Sequence, residues 1–203
     1  LTEQVAANFH PRELLAALAK GKVEFIVIGG IAVAMQGAVR ETRDLDVLCL
    51  ESDTNYGRLA LALSSIGARL KGAVIPLGAV DPTLLQGMRI VTFDTGLGEL
   101  DILFEAKGGI KFGDIVANAE RVAIAGEEVL VASRPDLIRM KAAAGRPRDL
   151  VVIDELEALI EIEGAQGADP AALPEPAGHP EVNEDAWLNE HRDNATGGDE
   201  QQP

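Results

Sequence analysis

Apolar positions along this chain fall at two spacings, and the switches between them mark its elements. Leu14, Leu15 and Leu18 recur at helical spacing behind Pro11, which predicts a short helix over 11–20 closed by Gly21. Residues 25–28 form an unbroken apolar run, the pattern of a strand covered on both faces, and 31–36 follow as a helix abutting Gly29 and Gly30. A second buried strand is predicted at 45–50, then a longer helix over 54–66 carried by Leu59, Leu61, Leu63 and Ile66. The runs 89–93 and 100–104, separated by Gly96-Leu97-Gly98, predict a strand pair. The runs 121–125 and 128–132 predict a hairpin turning at Gly126-Glu127. Ser133-Arg134-Pro135 is a start signal for a helix over 136–144; Gly145 and Pro147 break it before another from Arg148 to about Glu161. The fold class predicted is α/β (α+β), a mixed sheet flanked by helices with a helical pair at its end.

Composition changes this picture in two places. Of 203 residues, 47% are hydrophobic but only 3% aromatic, so one aliphatic core is expected. Residues 164–203 hold five of the ten prolines and nine acidic residues against one basic residue, Arg192; few large apolar groups remain to offset the entropy of ordering them. The expected organisation is a domain over 1–163, with its sheet core about 22–132 and C-terminal helices about 134–161, then a disordered acidic Pro-rich tail. Trp187 and Leu188 are the exception, a point at which a partner could adhere, although a wholly solvated tail is the favoured reading. The formal charge of -15 argues against a broad electropositive face for duplex nucleic acid.

Cys49, the sole cysteine, lies in an apolar run, so it is expected to be buried and has no partner in this sequence for an intramolecular disulfide. No stretch approaches the roughly 18 apolar residues that span a bilayer, and no signal sequence is evident at the N-terminus. No membrane association and a cytoplasmic location are the expectation. His10, His179 and His191 lie apart from every carboxylate block, which disfavours histidine-based nucleophilic or metal chemistry.

Candidate chemistry gathers around three acids. Asp44 and Asp46 are two apart on a predicted strand, so they share one face while Leu45 and Val47 enter the core. Two adjacent carboxylates repel, and a divalent cation beside them removes that cost. Most Asp-x-Asp pairs in arbitrary sequences are surface strand ends, so the setting matters more than the motif. Here a strand runs into Gly29-Gly30 and then a helix, an arrangement that can bring free N–H groups to a phosphate, although a structural turn accounts for such glycines equally well. Asp101 is a third acid, opposed in its strand by Leu100, Ile102 and Phe104; Glu99, Glu105 and Asp94 are near enough in sequence to be confused with it. Lys141 and Arg146, near a helix break, can both face a triphosphate, or stand as solvated charges. Asp149 can pair with Arg146 or Arg148. Lys107-Gly108-Gly109-Ile110-Lys111 reads as an ordinary flexible loop rather than a flap over substrate.

Gly29-Gly30, thirteen intervening residues, Asp44-Leu45-Asp46-Val47 and the later strand residue Asp101 together resemble the minimal DNA polymerase β-like nucleotidyltransferases. The block Arg40-Glu41-Thr42-Arg43-Asp44-Leu45-Asp46 and the block from Asp136 to Leu150 resemble the bacterial group that includes the abortive-infection (AbiEii-like) toxins of toxin–antitoxin systems. The resemblance spans about 22–161 and implies the nucleotidyltransferase-type sheet. It implies Asp44, Asp46 and Asp101 as catalytic metal ligands, and Gly29, Gly30, Arg43, Lys141 and Arg146 as nucleotide-binding residues, with Thr42 and Asp149 in support. Two Mg²⁺ or Mn²⁺ ions and an NTP such as ATP would be required, the acceptor being an RNA 3′ end, a protein or a small molecule such as an antibiotic. A cognate antitoxin is the protein partner that the toxin group implies. A catalytically silent interaction module of the same fold, binding through its acidic tail, is the competing class.

Overall fold

The computed structural model describes residues 9–38, 41–72 and 80–167. Arg40, the tail beyond residue 167, Trp187 and Leu188, and with the tail His179 and His191, lie outside the described residues. The chain divides into two units between Glu163 and Gly164.

Helix α1 spans Pro11–Lys20, with Pro11 preset in its first turn and Leu14, Leu15 and Leu18 buried. Strand β1, Phe25–Ile28, is buried at all four positions. Helix α2, Gly29–Met35, follows with no intervening turn, so the glycines begin the helix that was expected to start at Ile31. Strand β2 is Asp44–Cys49 and helix α3 is Asp53–Ser65, where the Asn55 N–H donates to the capping Ser52 hydroxyl. Strands β3, Arg69–Leu70, β4, Ile90–Thr95, and β5, Gly98–Leu103, come next; a 3₁₀ turn, Pro82–Leu85, lies between β3 and β4. The short helix α4, Phe112–Ile115, precedes strands β6, Glu120–Ile124, and β7, Glu127–Val131. Helices α5, Arg134–Ala144, and α6, Pro147–Gly167, complete the described chain, α6 running past the expected end at Glu161.

The fold is a mixed α/β structure on one seven-stranded sheet of order β3-β4-β5-β2-β1-β7-β6. β2 runs parallel to β5 and β1 parallel to β7; the remaining pairs are antiparallel. The β6–β7 hairpin turns at Ala125-Gly126 rather than Gly126-Glu127, since Ile124 pairs with Glu127 and both turn residues have positive φ, 52° and 84°. A two-residue turn matched to the sheet twist requires that left-handed pair, which places Glu127 inside β7.

The core is aliphatic, as the composition requires. Leu18, Ile26, Leu45, Leu59, Leu63, Leu100 and Ile102 are fully buried, and Phe104, the one fully buried aromatic among the described residues, meets Tyr56 edge-on with ring centroids 5.2 Å apart. Cys49 is buried, which pushes its thiol pKa up. Among the described residues no helix is long and apolar enough to cross a membrane.

Candidate metal and nucleotide site

Strands β2 and β5 set the candidate site by their register. Asp44 stands opposite Glu99, and Asp46 opposite Asp101. Alternation along a strand puts residues two apart on one face, so four carboxylates share a face while Leu45, Val47, Leu100 and Ile102 fill the core behind them. Oxygens from Asp44, Glu99 and Asp101 lie within 4.8 Å of one another, all three residues partly buried. Sequence reasoning brought forward Asp44, Asp46 and Asp101; alternation put Glu99 on the same face as Asp101, but it was carried as a residue to be confused with Asp101 and not as a ligand. Its position two residues before Asp101 on the same strand was the available signal.

Asp46 sits beside this triplet, turned towards the end of β1. Burial, then the charges of Asp44 and Asp101, push its pKa up to about 7, against the pull of Lys141 and Arg146. Asp101 is also raised, by burial first and by Glu99 and Asp44, with the Thr92 hydroxyl and Lys71 opposing. Its Oδ1 is buried and has no hydrogen-bond partner. A buried carboxylate oxygen without a donor, amid other carboxylates, is the environment of a hard divalent cation. The Thr42 hydroxyl donates to Asp44 Oδ1 at 2.7 Å and so orients that carboxylate.

The two glycines are explained by what lies against them. A Cβ on Gly29 would fall 1.9 Å from Asp46 Oδ2, and one on Gly30 would fall 2.7 Å from the Thr42 hydroxyl. Gly29 also has a φ of 65°, which disfavours any side chain. They let β1 and α2 close onto the carboxylate strand. With only seven residues in α2, the helix dipole is a minor part of their role.

Lys141 and Arg146 approach from α5 and the break that follows it. Gly145, at φ 63°, ends α5 in a left-handed cap, and Pro147 starts α6. Buried Asp149 binds both cations: Lys141 Nζ donates to Oδ1 at 3.2 Å and Arg146 Nε to Oδ2 at 2.7 Å. Burial acts to raise the Asp149 pKa, but these two donors outweigh it and hold the carboxyl below its ordinary range. A pocket of about 120 Å³ joins Gly29, Asp46, Lys107, Lys141 and Arg146. Arg43 is exposed just before β2, and its guanidinium bonds no other described residue. The structure thus brings together Gly29, Gly30, Thr42, Asp44, Asp46, Asp101, Lys141, Arg146 and Asp149, adds Glu99, and leaves Arg43 outside the bonded set.

No protein-family model and no curated protein matches the chain. Its three-dimensional structure is similar to that of the lincosamide antibiotic adenylyltransferase LnuA with lincomycin bound, at 17% identity and a TM-score of 0.51 over 78% of this chain and 98% of that one. A similarity to ANT(2″)-Ia in complex with adenylyl-2″-tobramycin has 17% identity and a TM-score of 0.46 over 82% of this chain and 100% of that one. The likeness to LnuA shows that the chain has the nucleotidyltransferase fold.

Proposed function

We propose that this protein transfers a nucleoside monophosphate from an NTP to an acceptor hydroxyl and releases pyrophosphate. The observation that carries this reading is the single face shared by Asp44, Asp46, Glu99 and Asp101 beside the cations Lys141 and Arg146. Divalent cations, two Mg²⁺ or Mn²⁺ ions on the sequence reading, would be held by Asp44, Asp46 and Asp101 with Glu99 in reach, and when bound would neutralise these acids and withdraw charge from the phosphates.

The chain's own groups divide the remaining work. Asp149 occupies one donor each of Lys141 and Arg146; an ammonium has three and a guanidinium five, so both retain donors for phosphate oxygens. Gly29 and Gly30 keep that approach clear of side chains. The acceptor oxygen attacks the α-phosphorus, its proton passing to Asp101. The new P–O bond forms as the α–β anhydride bond breaks, and pyrophosphate leaves with the electron pair.

The fold hosts several acceptors. The blocks at 40–46 and 136–150 support a growth-inhibiting toxin acting on RNA 3′ ends or protein and held by an antitoxin. The likeness to a lincosamide-modifying structure supports a small-molecule acceptor. Growth arrest on expression, rescued by Asp46→Ala, is the outcome for the toxin; growth indifferent to expression removes that reading. For transfer itself, NTP binding that depends on Mg²⁺ is expected to vanish in Asp44→Ala and Asp46→Ala proteins with wild-type circular dichroism. Unchanged binding in both rejects the site.

A further inference from the structure

Lys141 and Arg146 are not the only cations of the small pocket beside Asp46, for Lys107 also lines it. Asp46 on β2 and Leu103 on β5 both belong to the carboxylate face by strand alternation, so the pocket opens on that face of the sheet. Lys141 and Arg146 both bind Asp149, which offsets one of their two positive charges. Lys107 is exposed and makes no hydrogen bond or ion pair with another described residue. It therefore brings the pocket as much net positive charge as the other two together.

The segment after β5 that reads in the sequence as an ordinary flexible loop is fastened where it holds this lysine. The Ala106 N–H donates to the Ile110 carbonyl at 2.8 Å and closes the loop at its base, with both residues buried. Just beyond, Lys111 Nζ donates to Glu51 Oε2 at 2.9 Å. Gly108 and Gly109 turn the loop at φ of 84° and 73°. A Cβ on Gly108 would fall 2.9 Å from the Ala143 Cβ, so the loop lies directly on α5, the helix that carries Lys141. Only glycine allows both that backbone and that approach, and together they set the Lys107 side chain at the pocket on a stem long enough for its ammonium to turn inwards.

We propose that Lys107 is a third nucleotide-binding cation, and that it takes the β- and γ-phosphates. The proposal rests on the nucleotidyl-transfer reading. In that reading the α-phosphorus lies at the carboxylates, where the acceptor oxygen attacks, and the phosphates beyond it extend towards the cations of the pocket. As the new P–O bond forms and the α–β anhydride bond breaks, the electron pair stays with pyrophosphate. An ammonium beside that group stabilises the charge it gains. A lysine here reads phosphate charge and not the base, so its effect is the same for whichever NTP the protein takes.

The test titrates the full chain in Mg²⁺ with each of the four NTPs by calorimetry, then adds inorganic pyrophosphate as a competitor of those that bind. Lys107→Ala is expected to weaken both the NTP and pyrophosphate about tenfold, and Lys107→Arg to stay within about threefold of wild type. Lys20→Ala removes the same charge at the end of α1 and should leave both affinities within about twofold. Four results overturn the assignment: a loss below about threefold in a Lys107→Ala protein with wild-type circular dichroism, an equal loss in Lys20→Ala, no recovery in Lys107→Arg, or pyrophosphate that does not compete. Absence of Mg²⁺-dependent NTP binding in the wild type overturns the transferase reading itself, and so separates the two failures.

Discussion

Asp46→Asn is the most informative single change, because it separates the cost of the site from its use. Without a cation, the folded Asp46 carboxyl has a pKa of about 7 against 3.8 for an ordinary aspartate, chiefly through burial and then through Asp44 and Asp101. The folded state therefore holds the proton more tightly than the unfolded chain. This group costs nothing below pH 3.8, and it destabilises the fold progressively as pH rises from there to about 7. At about 1.4 kcal/mol per pH unit, that interval sets a ceiling on the order of 4 kcal/mol, reduced in practice because Asp46 is only partly buried and its neighbours share the repulsion. Asparagine keeps the shape that fits against Gly29 and removes the charge.

Urea denaturation in EDTA across pH 4–8 measures the effect. Wild type should lose stability as pH rises through this range, and Asp46→Asn should lose less, becoming the more stable of the two at pH 8. Millimolar Mg²⁺ should raise the midpoint of the wild type and have little effect on the variant. An asparagine variant that is less stable than wild type at pH 8 in EDTA, or that gains equally from Mg²⁺, would refute the claim that this carboxylate is held ready for a cation.

Gly29→Ala places a methyl 1.9 Å from Asp46 Oδ2 at a backbone with φ 65°, so a melting-temperature loss equivalent to about 1–3 kcal/mol and loss of transfer are expected; a neutral alanine would contradict the close approach. Asp149→Asn removes the buried charge that binds Lys141 and Arg146 and should cost about 3 kcal/mol in denaturant titrations. With its cations no longer held in place, the KM for NTP should rise more than kcat falls, and an unchanged KM would show that Asp149 serves the fold alone.

Residues whose burden is local were legible in the sequence, and those whose burden is a meeting of distant elements were not. Pro11, Gly21, Ser133 and Gly145 set helix ends within a few residues of themselves, and the observed ends agree with them. The alternation of Leu100 and Ile102 with Asp101 placed the third acid on a face. No pattern in one strand states that β5 will pair parallel with β2, some fifty residues earlier, so Glu99 became visible as a partner of Asp44 only in the sheet. The same limit hid Asn55, which looks like an ordinary helix-start residue yet is 1% exposed and ties β1 to β2 through Glu24 and Leu50. It also hid the reason for Gly29 and Gly30, which lies in the side chains of Asp46 and Thr42. β3 and the turn at Pro82–Leu85 are too short for any periodicity to register.

The register that the sequence could not show is nevertheless fixed by residues it did show. Leu45 faces Leu100 and Val47 faces Ile102 across β2 and β5, all four buried completely or nearly so. A slip of one residue would send that apolar set to the open face and the acids into the core, a change costing far more than the mutual repulsion of the carboxylates. Hydrophobic packing on one side of the sheet therefore holds like charges together on the other, where a cation can use them.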